Sequence, residues 1–146
     1  VDPEQLVSLD EEIALQRLYL DIEQTRFPDR LQVEVTMPDE LKNACVPVLI
    51  LQPIIENAIK YGVAPSKGKI AIRLTASAEY GLLVVRIEND IDPGAPAPAS
   101  GTGLGLGNVR ERLLTRYGPT AGCEWGPSDS GGFVVSLWLP LAREAC

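Results

Sequence analysis

Apolar residues recur along the chain in two rhythms, one of about 3.6 residues and one of two. Leu9, Ile13 and Leu20, with Leu15, Leu18 and Ile22, fall at helical spacing, and Ser8 followed by Glu11 forms an S-x-x-E start signal. A helix over 9–26 is predicted. Leu31, Val33 and Val35 alternate as a strand that Pro38 closes, and 49–61 reads as a second apolar helix ended by Gly62. Two strands follow. Ile70, Ile72 and Leu74 share one face of the first, Leu83, Val85 and Ile87 one face of the second, with Tyr80 and Gly81 at the turn. Residues 90–107, rich in Gly, Ala and Pro, read as a mobile loop. Leu106, Val109, Leu113 and Tyr117 mark the next helix, which stops at Gly118-Pro119, and strands near 121–125 and 132–139 close the chain. Phe133, Val135, Leu137 and Leu139 face one way. This order predicts an α+β fold, a two-layer α/β sandwich whose mixed sheet is covered on one face by helices.

Charge and length narrow the function classes. A chain of 146 residues is long enough for one domain with its own core. A formal charge of -7, from 20 acidic and 13 basic residues, disfavours nucleic acid or an anionic membrane as the main partner. The longest apolar run, 44–55, contains Pro47, Gln52 and Pro53 and falls short of the ~20 residues of a membrane span. Cys45, Cys123 and Cys146 are odd in number without CxxC spacing, and histidine is absent, so neither a disulfide framework nor a zinc site is expected. A reducing cytoplasm suits them. A first residue Val1 in place of Met points to a piece of a longer protein.

The candidate chemistry lies at two places. Glycines at 101, 103, 105 and 107 precede a helix start, where unpaired N–H groups and the helix dipole attract an anion such as phosphate. A flexible linker that caps a helix gives the same pattern. Asn108 and Val109 after Gly107 exclude a Walker A loop, and the late position excludes a dinucleotide fingerprint. In "LQPIIENAIKYG", residues 51–62, a turn of about 100° per residue makes Leu51, Ile54, Ile55 and Ala58 a buried stripe. Glu56 then points away and Asn57 sits on the border, where a cleft would open. An amide there, with Glu56 and Lys60 nearby, suits a magnesium ion that keeps most of its waters and binds nucleotide phosphates. The plain alternative is an Asn tolerated on a helix flank.

"LQPIIENAIKYG" resembles the N-box, and "GTGLGLGNVRERL" the G2 box, of LytS-type sensor histidine kinases, whose ATP-binding domain has the GHKL (Bergerat) fold. "SLDEEIALQRLYLDIEQTRFPDRL" and "SGGFVVSLWLPL" resemble the flanking segments, so the likeness runs from about residue 8 to 141. The resemblance implies ATP and Mg2+ as cofactors, with Asn57 as the magnesium ligand and Glu56 and Lys60 as the catalytic pair bordering the phosphates. It implies nucleotide contacts from Asn57, Tyr61, Asn89, Asp90, Gly101, Thr102, Gly103, Leu104, Gly105 and Leu106, the glycines shaping an ATP lid. It divides the chain into a helix at 1–28, leading from a phosphoacceptor region, and an ATP-binding domain at 29–142. Its implied partners are a histidine-bearing dimerisation hairpin and a response regulator, with no nucleic acid and no direct membrane contact.

The chain also departs from that family. Relatives commonly read Asp-Asn-Gly where this chain has Asn89-Asp90-Ile91. Alternation puts Asn89 on the core side with Leu83, Val85 and Ile87, where the adenine-reading aspartate of the family would be; Asp90 competes if a bulge shifts the register. Tyr61 stands where many relatives carry His, for packing or for stacking near the nucleotide. With no histidine the chain cannot phosphorylate itself, so the phosphoryl acceptor lies elsewhere. A degenerate module that binds nucleotide without transfer remains open, as does a serine kinase or chaperone-like ATPase on the same fold.

Overall fold

In the computed structural model, which describes residues 5–92, 103–143 and 146 (for 103 and 104 the backbone alone), the alternating apolar residues meet on one side of a single sheet. The elements are β1 (Leu6–Ser8), α1 (Leu9–Arg26), β2 (Leu31–Thr36), β3 (Cys45–Pro47), α2 (Gln52–Ala58), β4 (Ile70–Glu79), β5 (Leu82–Asn89), α3 (Gly103–Tyr117), β6 (Gly122–Pro127) and β7 (Phe133–Pro140). The five-stranded sheet runs β2-β4-β5-β7-β6. Only β2 and β4 pair in parallel, as they must when α2 lies in their crossover; the other neighbours are antiparallel. The mixed sheet of the sequence reading is present.

Ile70, Ile72 and Leu74 of β4, Leu83, Val85 and Ile87 of β5, and Val135, Leu137 and Leu139 of β7 are all buried on its inner face. They form one core with Leu9, Ile13 and Leu20 of α1, Ile54, Ile55 and Ala58 of α2, and Leu106, Val109 and Leu113 of α3. Each such Val, Leu or Ile side chain taken from water contributes about 1.5–3 kcal/mol. β4 and β5 join through Tyr80 and Gly81, whose φ values of 53° and 79° suit the two-residue turn between Glu79 and Leu82.

Helix α1 shows which of its two apolar stripes was core. Leu9, Ile13 and Leu20 are buried, while Leu15, Leu18 and Ile22 are exposed. The positions beside the buried leucines are polar: Glu12, Gln16 and Glu23. At its start the Ser8 hydroxyl oxygen accepts from the Glu11 N–H and the hydroxyl donates to the Glu11 carboxylate, both at 3.1 Å.

Several boundaries differ from expectation, each for a local reason. The helix expected over 49–61 begins at Gln52, because Leu49 takes a φ of 61° outside any right-handed helix. It does not end at Gly62. Residues Ile59–Val63 continue it as a π turn, with the Ala64 N–H donating to the Ile59 carbonyl at 2.8 Å. The helix expected from Leu106 begins at Gly103, so the second half of the glycine run is helical rather than loop. The remainder of the expected loop, from 93 to 102, lies outside the described residues. Strands β1 and β3 pair as a separate two-stranded sheet that periodicity over three residues does not reveal.

The cysteine expectation is overturned. Cys45 and Cys146 form a disulfide across 101 residues of sequence, with Cα atoms 5.3 Å apart. The C-terminal segment comes alongside β3, where the Cys45 N–H donates to the Ala142 carbonyl at 2.7 Å; spacing in sequence carries no trace of that approach. Cys123 is a free, buried thiol that burial pushes up to about 11, the ordinary value being 9.0. A loop of this length predicts that Cys146→Ser, or reduction, lowers stability by up to about 5 kcal/mol. Urea unfolding with and without reductant measures it, and Cys146→Ser should abolish the effect of reductant.

Candidate functional site

The inner face of β5 ends in a polar residue. Asn89 continues the row of Leu83, Val85 and Ile87, is 4% exposed, and pairs across the sheet with Ile72 and Phe133. Its Nδ2 donates to the Asp90 carbonyl at 3.0 Å. Facing it is the π turn after α2. A Cβ placed on Gly62 would come within 2.5 Å of Asn89 Nδ2, so with any other residue at 62 the Asn89 side chain must shift. The turn is held by the Ser66 hydroxyl, which donates to the Gly62 carbonyl at 2.6 Å.

Asp90 points elsewhere. Its Oδ1 accepts from Arg73 Nη2 at 2.8 Å and its Oδ2 from the Ala71 N–H at 3.1 Å. Burial raises its pKa, but the Arg73 and Ala71 hydrogen bonds outweigh burial and hold the carboxyl below its ordinary value of 3.8. The register expected from alternation holds. Of the two candidates, Asn89 faces the core side and Asp90 is engaged with β4 just beyond the end of β5.

On α2, Asn57 is 9% exposed at the margin of the buried stripe formed by Ile54, Ile55 and Ala58. Glu56 and Lys60, one step round the helix, are exposed and face α1 across a cleft of about 290 Å³ lined by Tyr19, Arg26, Glu56, Ile59, Lys60 and Ala64. Glu56 accepts from Gln52 Nε2 at 3.0 Å, and Lys60 lies 5.3 Å from the centre of the half-buried Tyr61 ring. Burial, then the Glu23 and Glu56 carboxylates, raise the pKa of Tyr19. Glu56 thus points away from the buried stripe and Asn57 stands at its margin, as the helical period predicts.

The start of α3 comes up against the start of α2. A Cβ on Gly105 would stand 3.8 Å from Pro53 Cβ, and Leu106 is fully buried. Gly103 and Leu104 form the first turn of α3, while Gly101 and Thr102 lie outside the described residues. Two residues that periodicity missed also hold this junction. Glu12 binds the turn before α2, and Arg112 Nη2 donates to the Val48 carbonyl at 2.9 Å. Only the acidic run Asp10-Glu11-Glu12 opening a helix hints at the first. Among the described residues no three His, Cys, Asp or Glu cluster as a metal cage, and no helix is long and apolar enough to cross a membrane.

The family model described as histidine kinase-, DNA gyrase B- and HSP90-like ATPase matches residues 47–143. The chain belongs to that ATPase family. The sensor histidine kinase YesM of Bacillus subtilis is 32% identical over 143 residues, covering 95% of this chain and 25% of its own length. BtsS of Escherichia coli, another sensor histidine kinase, is 34% identical over 146 residues, covering 98% and 25%. The sensor histidine kinase/phosphatase LytS of Staphylococcus aureus is 36% identical over 61 residues, covering 42% of the chain and 10% of its own length. The chain therefore spans about a quarter of the curated relatives that it matches along its full length. Among solved structures, the catalytic domain of histidine kinase ThkA superposes with a TM-score of 0.68 at 15% identity, covering 96% of this chain and 98% of that one. The mycobacterial sensor histidine kinase MprB gives 0.62 at 19%, covering 96% and 99%. The fold is that of histidine kinase catalytic domains.

Two outcomes test this geometry. Gly62→Ala must displace Asn89, so the ATPase domain should lose about 1–3 kcal/mol of stability and the Asn89 side-chain amide signals should shift in NMR spectra. Because folding lowers the Asp90 pKa, the contribution of its pairing is complete above the ordinary carboxylate value and lost as pH falls below it. Asp90→Asn should therefore flatten the decline in stability below about pH 4, seen in denaturation curves across that range.

Proposed function

We propose that the chain is the catalytic, ATP-binding part of a two-component sensor histidine kinase, and that it binds Mg-ATP between α2, the end of β5 and the start of α3. The observation that carries this reading is the contact of Gly62 with Asn89, which joins a phosphate-side candidate helix to a base-side candidate strand. The fit is chemical as well. Asn57 and Asn89 are both neutral amides at least nine-tenths buried, able to meet a nucleotide without the cost of desolvating a charge.

In this reading the Asn57 oxygen is a ligand for magnesium, which neutralises phosphate charge. Asn89, with Asp90 as the competing residue, accepts from the adenine amino group. Tyr61 packs or stacks beside the nucleotide, and Gly101, Thr102, Gly103, Leu104, Gly105 and Leu106 bring main-chain N–H groups to the phosphates. Glu56 and Lys60, exposed one helical step from Asn57, border the phosphates from the solvent side. The γ-phosphoryl group leaves ATP for an imidazole nitrogen of a histidine on a separate hairpin, and ADP remains. Little covalent chemistry falls to the protein, which positions the reactants and balances charge. Residues 1–28 lead from the acceptor region and 29–142 form the ATP-binding domain, working in the cytoplasm where ATP is supplied.

A response regulator receives the phosphoryl group next; ThkA has been solved in complex with the response regulator TrrA, which supports that class of partner. One observation favours a second reading, nucleotide binding without transfer. Position 89 carries an amide where a carboxylate reads adenine in many relatives, and an amide can serve guanine as well.

Three measurements test the reading. Asn57→Ala should abolish magnesium-dependent ATP binding in calorimetry while the melting curve stays cooperative; unchanged affinity would refute it. Asn89→Asp should raise the preference for ATP over GTP by about one to two orders of magnitude, the worth of one charged hydrogen bond. Labelled phosphate appearing on an added acceptor hairpin separates the kinase from the non-transferring module.

A further inference from the structure

Glu12 is 1% exposed on the inward face of α1, and both oxygens of its carboxylate accept from one turn of main chain. Oε1 accepts from the Leu49 N–H at 2.9 Å and Oε2 from the Leu51 N–H at 3.0 Å. The turn is strained, since Leu49 has a φ of 61°. A branched residue keeps that conformation only where its surroundings dictate it, and such points gather at functional sites.

This turn leads directly into α2, whose N-cap residue, Leu51, makes no side-chain capping bond. The other N–H groups at this helix start are accounted for within the main chain. Gln52 donates to the Leu49 carbonyl, Pro53 has no N–H, and Ile54 and Ile55 both donate to the Leu51 carbonyl. Glu12 thus supplies from another helix the acceptor for the N-cap N–H that a Glu three residues on supplies in a capping box, and its carboxylate lies at the positive end of α2. From the opposite side, Arg112 of α3 holds the adjoining Val48 carbonyl.

We propose that Glu12 is a positioning residue for the nucleotide site: its carboxylate, closed on the Leu49 and Leu51 N–H groups, fixes where α2 begins and so where Asn57 stands. Arg112 steadies the same turn from the helix that carries the glycine run. The proposal rests on the reading of Asn57 as a nucleotide contact. Glu12 itself touches no nucleotide. Because α2 has seven residues, a shift at its start passes to Asn57 undamped, and a displacement of about 1 Å at a site costs up to roughly a hundredfold in function.

The test is Glu12→Gln in this chain, which keeps the shape but sets an NH2 group against one of the two N–H donors. Its Kd for Mg-ATP should rise about tenfold or more. Without nucleotide, the amide signals of Asn57 and Gly62 should move together with those of Leu49 and Leu51. An affinity within about twofold of the parent, with changes confined to Leu49 and Leu51 or to the melting temperature, would make Glu12 merely structural and overturn the proposal. If Glu12→Gln does not fold, Arg112→Lys loosens the same turn; a weaker affinity then supports the proposal and an unchanged one overturns it. If the parent chain binds no Mg-ATP, the functional reading fails by itself. The Asn57 and Gly62 signals then decide alone: movement supports the positioning role and its absence refutes it.

Discussion

A carboxylate withdrawn from water has to be met by donors or it destabilises the fold by several kcal/mol. Glu12 meets that constraint with two main-chain N–H groups, and the remaining architecture is arranged around the bond. It ties α1 to the turn before α2, and that turn lies within the crossover leading from β2 to β4. The parallel pairing of β2 with β4 requires such a crossover, so the one parallel ladder in the sheet and the buried carboxylate belong to the same connection. Without the bond, a left-handed leucine and an uncapped helix start would both face an apolar interior.

The second organising feature is the period of two. It runs without a bulge through β5, from Leu83 to Asn89, and carries the core face out to a polar residue at the strand's end. One residue further, the chain turns outward, and Asp90 meets Arg73 and the Ala71 N–H. The amide and the carboxylate are adjacent in sequence yet serve opposite sides of the sheet. Gly62 completes the arrangement, since a residue without Cβ lets the π turn close over Asn89 without shifting its side chain.

The long periodic elements were legible in the sequence because each repeats its signal. Helix α1, strands β2, β4, β5 and β7, the Tyr80-Gly81 turn and the inward direction of Asn89 follow from pattern alone. Other features depend on single contacts between distant residues, which no local pattern encodes. Hydropathy could not choose between the stripe of Leu9, Ile13 and Leu20 and that of Leu15, Leu18 and Ile22, because the buried side also carries Glu12, Gln16 and Glu23. The Cys45 to Cys146 disulfide depends on the end of β7 returning beside β3. For α3, glycine composition suggested a loop up to Gly107, whereas tertiary packing of Gly105 near Pro53 and burial of Leu106 outweigh the helix propensity lost at glycine, about 1 kcal/mol per residue. At the candidate site, the direction of each side chain was readable. The order Glu56, Asn57, Lys60 is given by sequence, but that Glu56 and Lys60 face Tyr19 and Arg26 depends on where α1 lies.

The contrast between positions 89 and 90 also bears on why an amide stands at the first. At 4% exposure, a carboxylate at 89 would have its charged form disfavoured by desolvation, and its pKa would climb. Asp90 escapes that outcome because Arg73 and a main-chain N–H stand beside it, outweighing burial. An amide at 89 costs no charge desolvation when the site is empty, and it retains an oxygen that can accept. What it gives up is the stronger, charge-assisted bond that a carboxylate makes with an amino group. Under the proposed reading, the residue at the end of β5 is therefore a compromise between stability of the nucleotide-free fold and strength of base recognition, and this chain has placed its charge on the outer side of the sheet.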